Sequence, residues 1–241
     1  MTRLRTILPD EIPSPMMADF YGQRASEGGL VLIEGVSISK VARSYLGAAS
    51  FFHDGQIEGW KAIADAVHAK GGYAFMQLIH GGRQSHVEMT GGVDPVAPSV
   101  VPFEGVALTK DGFVPVSPHR ALGLEEIPGI IEEFRVAAQR AKDAGFDGVE
   151  LHGANGYLVD QFIQDGDQHA HGCLWRSDRK PRALSARSSR SADLGLRCGS
   201  CWRTHFALGR MGWHFRQRSR GDVQSRRTGA GLLQDRLYAR D

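Results

Sequence analysis

Three short apolar runs punctuate the chain: residues 29–34 ("GLVLIE"), 73–78 ("YAFMQL") and 148–151 ("GVEL"). They are too short for buried helices and are closely preceded by glycine, so they read as buried strands. Upstream of each lies a helical pattern. The clearest covers residues 125–144, where Ile127, Ile130, Ile131, Phe134, Ala138 and Ala141 recur at helical spacing and Gly145 ends the run. A second covers residues 56–70, with Ile57, Trp60, Ile63 and Val67 on one face and Gly71 as terminator. A third is expected over residues 15–26. Helix, glycine, buried strand, repeated three times, is the order of a parallel α/β protein whose crossover helices cover the sheet. Between residues 91 and 123 the pattern lapses and five prolines appear. That stretch is expected to form a long loop or a small hairpin over one end of the strands, where ordered loops tend to act as lids or binding loops.

Composition changes this picture in one respect. With 241 residues, 41% of them hydrophobic, the chain is long enough for one large domain or two small ones. No apolar run approaches the roughly 20 residues that cross a bilayer, and the start "MTRLRTILPDEIPS" lacks a secretory core. A cytoplasmic protein without a membrane partner is expected. The net charge of +2 hides an asymmetry: residues 1–167 hold 13 Lys and Arg against 22 Asp and Glu, and residues 168–241 hold 16 against 5. In the second part 15 of the 16 bases are Arg, and Glu, Ile and Asn are absent. Residues 1–167 therefore form the expected domain, and residues 168–241 an irregular or disordered tail with no domain of their own.

Polar residues cluster just beyond two of the strands. After residues 73–78 come Ile79, His80, Gly81, Gly82 and Arg83; after 148–151 come His152, Gly153, Ala154, Asn155, Gly156 and Tyr157. In a parallel α/β barrel the loops at strand C-termini build the active site, so the two groups are expected to converge. His and Asn can polarise a carbonyl oxygen, and Tyr can donate a proton. Each has a plainer reading: a histidine at a strand end is more often structural, and a tyrosine after glycine more often packs.

The wording is more specific than the spacing. "GFDGVELHGANGYLVDQF", with "MTRLR", "FYGQRASEGGLVLIEG", "GWKAIADAVHAKGG" and "MQLIHGGRQSH", resembles the old yellow enzyme family of FMN-dependent ene-reductases, in the bacterial branch that includes N-ethylmaleimide reductase. The resemblance covers residues 1–167 in order and spacing. It implies a (β/α)8 TIM barrel with FMN at the C-terminal ends of its strands. NADPH or NADH reduces the flavin, which passes a hydride to the β-carbon of an α,β-unsaturated carbonyl substrate. By this resemblance His152 and Asn155 bind the substrate carbonyl oxygen and Tyr157 is the catalytic proton donor. Thr2, Gly35 and Gln77 contact the flavin, Gly35 standing where the family usually has alanine. Tyr45 falls near a substrate-pocket aromatic, and Ile79 stands where many relatives carry tryptophan, which alters the pocket wall. Neutral donors aimed at an oxygen that becomes enolate-like are worth about 3 kcal/mol each in analogous sites. The flavin carries the hydride chemistry, and the protein orients the partners.

After "QFIQDG" the family continues with Arg-Thr-Asp, Tyr-Gly-Gly and Glu-Asn-Arg. This chain has "DQHAHGCLWRSDRKPRALSARSS" instead. Read one base later, with allowed codons, that stretch regains the family pattern. Residues 201–209 ("CWRTHFALG") regain a later barrel strand that bears a flavin-contacting arginine. A frameshift near Asp167 is therefore expected. On that reading the zinc-like spacing of His169, His171, Cys173, Cys198 and Cys201 and the Arg-rich "RSSRS" and "FRQRSR" are by-products. Neither a metal site nor a specific nucleic-acid partner is expected, although nonspecific polyanion binding is open to such a tail. Since the chain starts at "MTRLR", the family's first strand is expected to be missing, and the later strands lie in the other frame. About three or four of eight strands would remain, an incomplete barrel with impaired FMN binding and catalysis. The alternatives are a non-catalytic frameshifted fragment and a basic-tailed nucleic-acid- or zinc-binding protein.

Overall fold

The computed structural model describes residue 6 and residues 11–164. Thr2, the composition switch at Asp167, the zinc-like His and Cys residues and the Arg-rich runs all lie outside the described residues.

The elements in chain order are α1 (Pro15–Gly22), β1 (Leu30–Ser37), a 3-10 turn (Asp54–Gln56) running into α2 (Ile57–His68), β2 (Tyr73–Ile79), α3 (Val87–Thr90), β3 (Val96–Ala97), β4 (Val106–Thr109), β5 (Gly112–Pro115), β6 (Arg120–Ala121), α4 (Ile127–Asp143), β7 (Gly148–Leu151) and α5 (Leu158–Ile163). Strands β1, β2 and β7 form a parallel sheet in that order, the order of the chain. Helix α1 packs on α2, and α2 on α4. Helices on one face, with no reversal of strand order, make a segment of barrel wall rather than a doubly wound sheet.

The core lies between sheet and helices. Val31, Ile33, Ala74, Met76 and Leu78 point at Met17 of α1, Trp60, Ile63 and Val67 of α2, and Ala137, Ala138 and Ala141 of α4. Trp60 is fully buried, and its indole N–H donates to the Ser50 carbonyl at 3.0 Å. The opposite face of the sheet is different in character: Leu30 is 61% exposed, Leu32 41% and Tyr73 39%. The alternation along each strand places these side chains together, on the face that a barrel turns inward.

The helices match their expected positions with shorter ends. Helix α1 stops at Gly22, not residue 26, because the following residues form a turn in which the Gly28 N–H donates to the Gly71 carbonyl at 2.9 Å. Gly28 and Gly71 both have positive φ, so the turns preceding β1 and β2 are paired through residues that tolerate it. Strand β1 continues three residues past its expected end, since Val36 and Ser37 pair with Leu78 and Ile79. In the proline-rich stretch the hairpin is β4–β5. It is tied to the loop after β1 by a bond from the Leu46 N–H to the Leu108 carbonyl. The short β3–β6 pair and helices α3 and α5 carry no periodicity long enough to read from sequence. At the N-terminal end of the sheet, the Asp147 carboxylate binds His68 at 2.7 Å and the Ala74 N–H at 2.9 Å, joining α2, β2 and β7.

Candidate active site

The site begins with a β-bulge. Strand β1 pairs with β2 in register as far as Ile33 opposite Met76, then resumes with Gly35 opposite Gln77. Glu34 is the extra residue. Its side chain is buried, and the Tyr21 hydroxyl donates to its carboxylate at 2.8 Å while accepting its backbone N–H at 3.3 Å. The bulge thus removes Glu34 from the row and sets glycine opposite Gln77. Across the next strand pair Gln77 stands opposite Glu150, and its Nε2 donates to Glu150 Oε1 at 2.5 Å. The Gln77 Oε1 is buried and has no hydrogen-bond partner among the described residues. One layer toward the strand N-termini, Leu32 is opposite Phe75 and Phe75 opposite Gly148. A Cβ on Gly148 would lie 2.5 Å from the Phe75 ring, so the ring lies against that glycine.

Two histidines leave the ends of β2 and β7 in the same local geometry. The Nδ1 of His80 accepts the Gly82 N–H at 3.1 Å, and the Nδ1 of His152 accepts the Ala154 N–H at 3.4 Å. Each ring therefore carries its proton on Nε2. Burial pushes the His80 pKa down to about 3. Burial is also the main cause that lowers His152, with Glu150 and Asp160 pulling the other way. Both rings are neutral near pH 7. His80 is the structural member of the pair: its ring is buried, and its carbonyl accepts the Leu158 N–H at 3.0 Å. The His152 ring meets Tyr157 edge-on, with centroids 5.0 Å apart and planes at 90°.

Between them Asn155 adopts a left-handed conformation, φ 59°, in an exposed turn. Asparagine tolerates that region better than most residues. The Gln84 Nε2 donates to the Asn155 carbonyl at 2.7 Å. Gln161, fully buried on α5, donates to the Gly156 carbonyl at 2.6 Å and accepts the Arg83 N–H at 3.4 Å. The loops after β2 and β7 are thereby joined. The loop after β1 joins the same rim, because the Gly81 N–H donates to the Ala42 carbonyl at 2.8 Å. Tyr45 is half-buried in that loop, and Ile79 is buried at the end of β2. Gln84, Gln161 and Glu150 are neighbours of the candidate site residues that the sequence alone does not single out. The available signal was Gln161, an amide three residues from Leu158 on the buried side of a short helix.

Among the described residues no group of three or more His, Cys, Asp or Glu is placed to hold a metal ion. No described helix is long and apolar enough to cross a membrane.

Residues 1–171 match the family described as NADH:flavin oxidoreductase / NADH oxidase. The flavin oxidoreductase hxnT of Emericella nidulans is 42% identical over 167 residues, which are 68% of this chain and 43% of that protein. The 12-oxophytodienoate reductase 7 of Oryza sativa subsp. japonica is 42% identical over 170 residues, 69% of this chain and 43% of the relative. Among solved structures, morphinone reductase in complex with tetrahydroNAD superposes with a TM-score of 0.68 at 44% identity, covering 73% of this chain and 50% of the other. The old yellow enzyme homologue from Zymomonas mobilis gives 0.68 at 42% identity, covering 71% and 48%. The chain spans about half the length of the relatives it matches.

Proposed function

Because this chain belongs to the NADH:flavin oxidoreductase / NADH oxidase family, we propose that its site serves reduction of the C=C bond of an α,β-unsaturated carbonyl compound, with FMN as cofactor and NADPH or NADH as reductant. The observation that supports this best is the rim at the end of β7, where a neutral His152, Asn155 and Tyr157 follow one another beside the Gly35–Gln77–Glu150 row. The residues present fit the cofactor on two grounds. Gly35 offers no side chain opposite Gln77, and the Gln77 Oε1 is a buried acceptor that suits a flavin's imide N–H. Thr2 completes the proposed flavin contacts.

When bound, FMN supplies the hydride that adds to the β-carbon of the substrate. The chain's own residues handle the oxygen and the proton. With Nδ1 engaged by Ala154, His152 presents Nε2–H as a neutral donor, and the Asn155 amide is a second donor. Together they bind the carbonyl oxygen and stabilise the negative charge that grows there. Tyr157 then gives its phenolic proton to the α-carbon, and water or buffer reprotonates it. Tyr45 contributes an aromatic surface to the substrate side. Purified chain is expected to retain FMN and to oxidise NADPH in the presence of 2-cyclohexenone. His152→Ala and Asn155→Ala should each lower kcat/KM about 10²-fold, and Tyr157→Phe should lower the enone-dependent step while flavin reduction by NADPH persists. Colourless protein that takes up no added FMN would refute the reading.

A second reading is favoured by one observation: the family match ends at residue 171, close to the charge switch at Asp167, while the relatives extend to about twice the matched length. On this reading the chain is a frameshifted product that keeps the substrate rim and has lost catalytic competence. It predicts the family's next motifs in the adjacent reading frame of the gene.

A further inference from the structure

We propose that Glu150 is a positioning residue that fixes which end of the Gln77 amide faces the cofactor, an inference that rests on the FMN reading above. A glutamine side chain has a donor end and an acceptor end of nearly the same shape, and nothing in its own geometry decides between them. Here the neighbour decides. An ionised carboxylate only accepts, so Glu150 takes the Nε2–H in a short charge-assisted bond of 2.5 Å. The Oε1 is thereby turned to the other side, where it is buried and without a partner among the described residues. A buried acceptor in that state is relieved by a ligand N–H and worsened by a ligand carbonyl. The pyrimidine edge of a flavin offers both: one imide N–H between two carbonyls. Glu150 thus selects the N–H as the group that Gln77 recognises.

The sheet supports the assignment. Gln77 and Glu150 are cross-strand neighbours on adjacent parallel strands, so the pair is set by register rather than by a mobile loop. Glu150 is exposed and contributes little to the core. Its substitution is expected to leave folding intact.

The test is a double-mutant cycle on the full chain, with FMN affinity read by quenching of flavin fluorescence and folding read by thermal melting. Glu150→Leu is expected to weaken FMN about fivefold to tenfold in the parent, and less than about twofold when Gln77 is already Leu, because coupled residues are non-additive. Glu150→Gln, whose amide accepts or donates, should give an intermediate loss and serves if the Leu variant melts early. Equal losses in the two backgrounds overturn the role of Glu150 while leaving FMN binding in place. A parent chain that binds no FMN overturns the cofactor reading, and this proposal with it.

Discussion

His80 and His152 show how two like residues in like turns part company. The sequences "HGG" and "HGA" build the same Nδ1 contact, yet one ring is sealed beneath the rim and the other stands at it. The sealed ring has a measurable consequence. In the folded chain burial lowers the His80 pKa from 6.5 to about 3. Between those values the unfolded chain binds the proton and the folded one does not, so stability falls as the pH drops, by up to about 1.4 kcal/mol per unit. The contribution is fully present above about pH 6.5 and is progressively lost toward pH 3. Urea unfolding at pH 7, 6 and 5 should show this slope, and His80→Asn, which keeps an acceptor for the Gly82 N–H, should flatten it. Parallel curves for parent and variant would refute the assignment. Residue pattern alone groups both histidines with the polar strand ends, and only the family resemblance singles out His152. Their difference is one of degree, His80 being 2% exposed and His152 9%.

At the scale of elements, the bulge in β1 is the device on which the Gly35–Gln77–Glu150 row depends. A regular strand would set Glu34 opposite Gln77. The extra residue leaves a backbone N–H outside the ladder, and Tyr21 of α1 satisfies that N–H and the carboxylate with one hydroxyl. Tyr21→Phe is expected to cost about 1–3 kcal/mol, since it removes a donor and an acceptor from a buried carboxylate residue. Chemical denaturation measures this, and a cost below about 0.5 kcal/mol would mean that the bulge is held by other contacts. The strand itself was legible as an apolar run. The bulge was not, because its clamp comes from a helix 13 residues earlier in the chain. Helix α1 ends earlier than its pattern suggests for a related reason: residues 23–29 have no helix-breaking proline, and their turn is fixed by contacts that include the tie from Gly28 to Gly71.

At the scale of the whole molecule, the described residues supply three adjacent strands of wall and helices on one face. The face with Leu30, Leu32 and Tyr73 is the one whose burial would require more sheet than is described. The two readings of function separate here. Sequencing the gene beyond codon 167 is expected to show Arg-Thr-Asp, Tyr-Gly-Gly and Glu-Asn-Arg in the adjacent frame; an unrelated frame there would remove the frameshift reading. The sequence by itself determined the alternation of helix and strand, the loops that carry polar groups, and a wording specific enough to identify the family. These are local properties, written in spacing and in runs of a few residues. The tertiary structure decided the phase of β1 at Glu34, the neutral state and unequal burial of two histidines, the left-handed turn at Asn155 held by Gln84, and the Gln77–Glu150 pair. Each depends on groups brought together from distant parts of the chain, 71 residues for Gln84 and Asn155 and 73 for Gln77 and Glu150. No local pattern encodes such a meeting, because burial and hydrogen-bond partners exist only once the chain has folded.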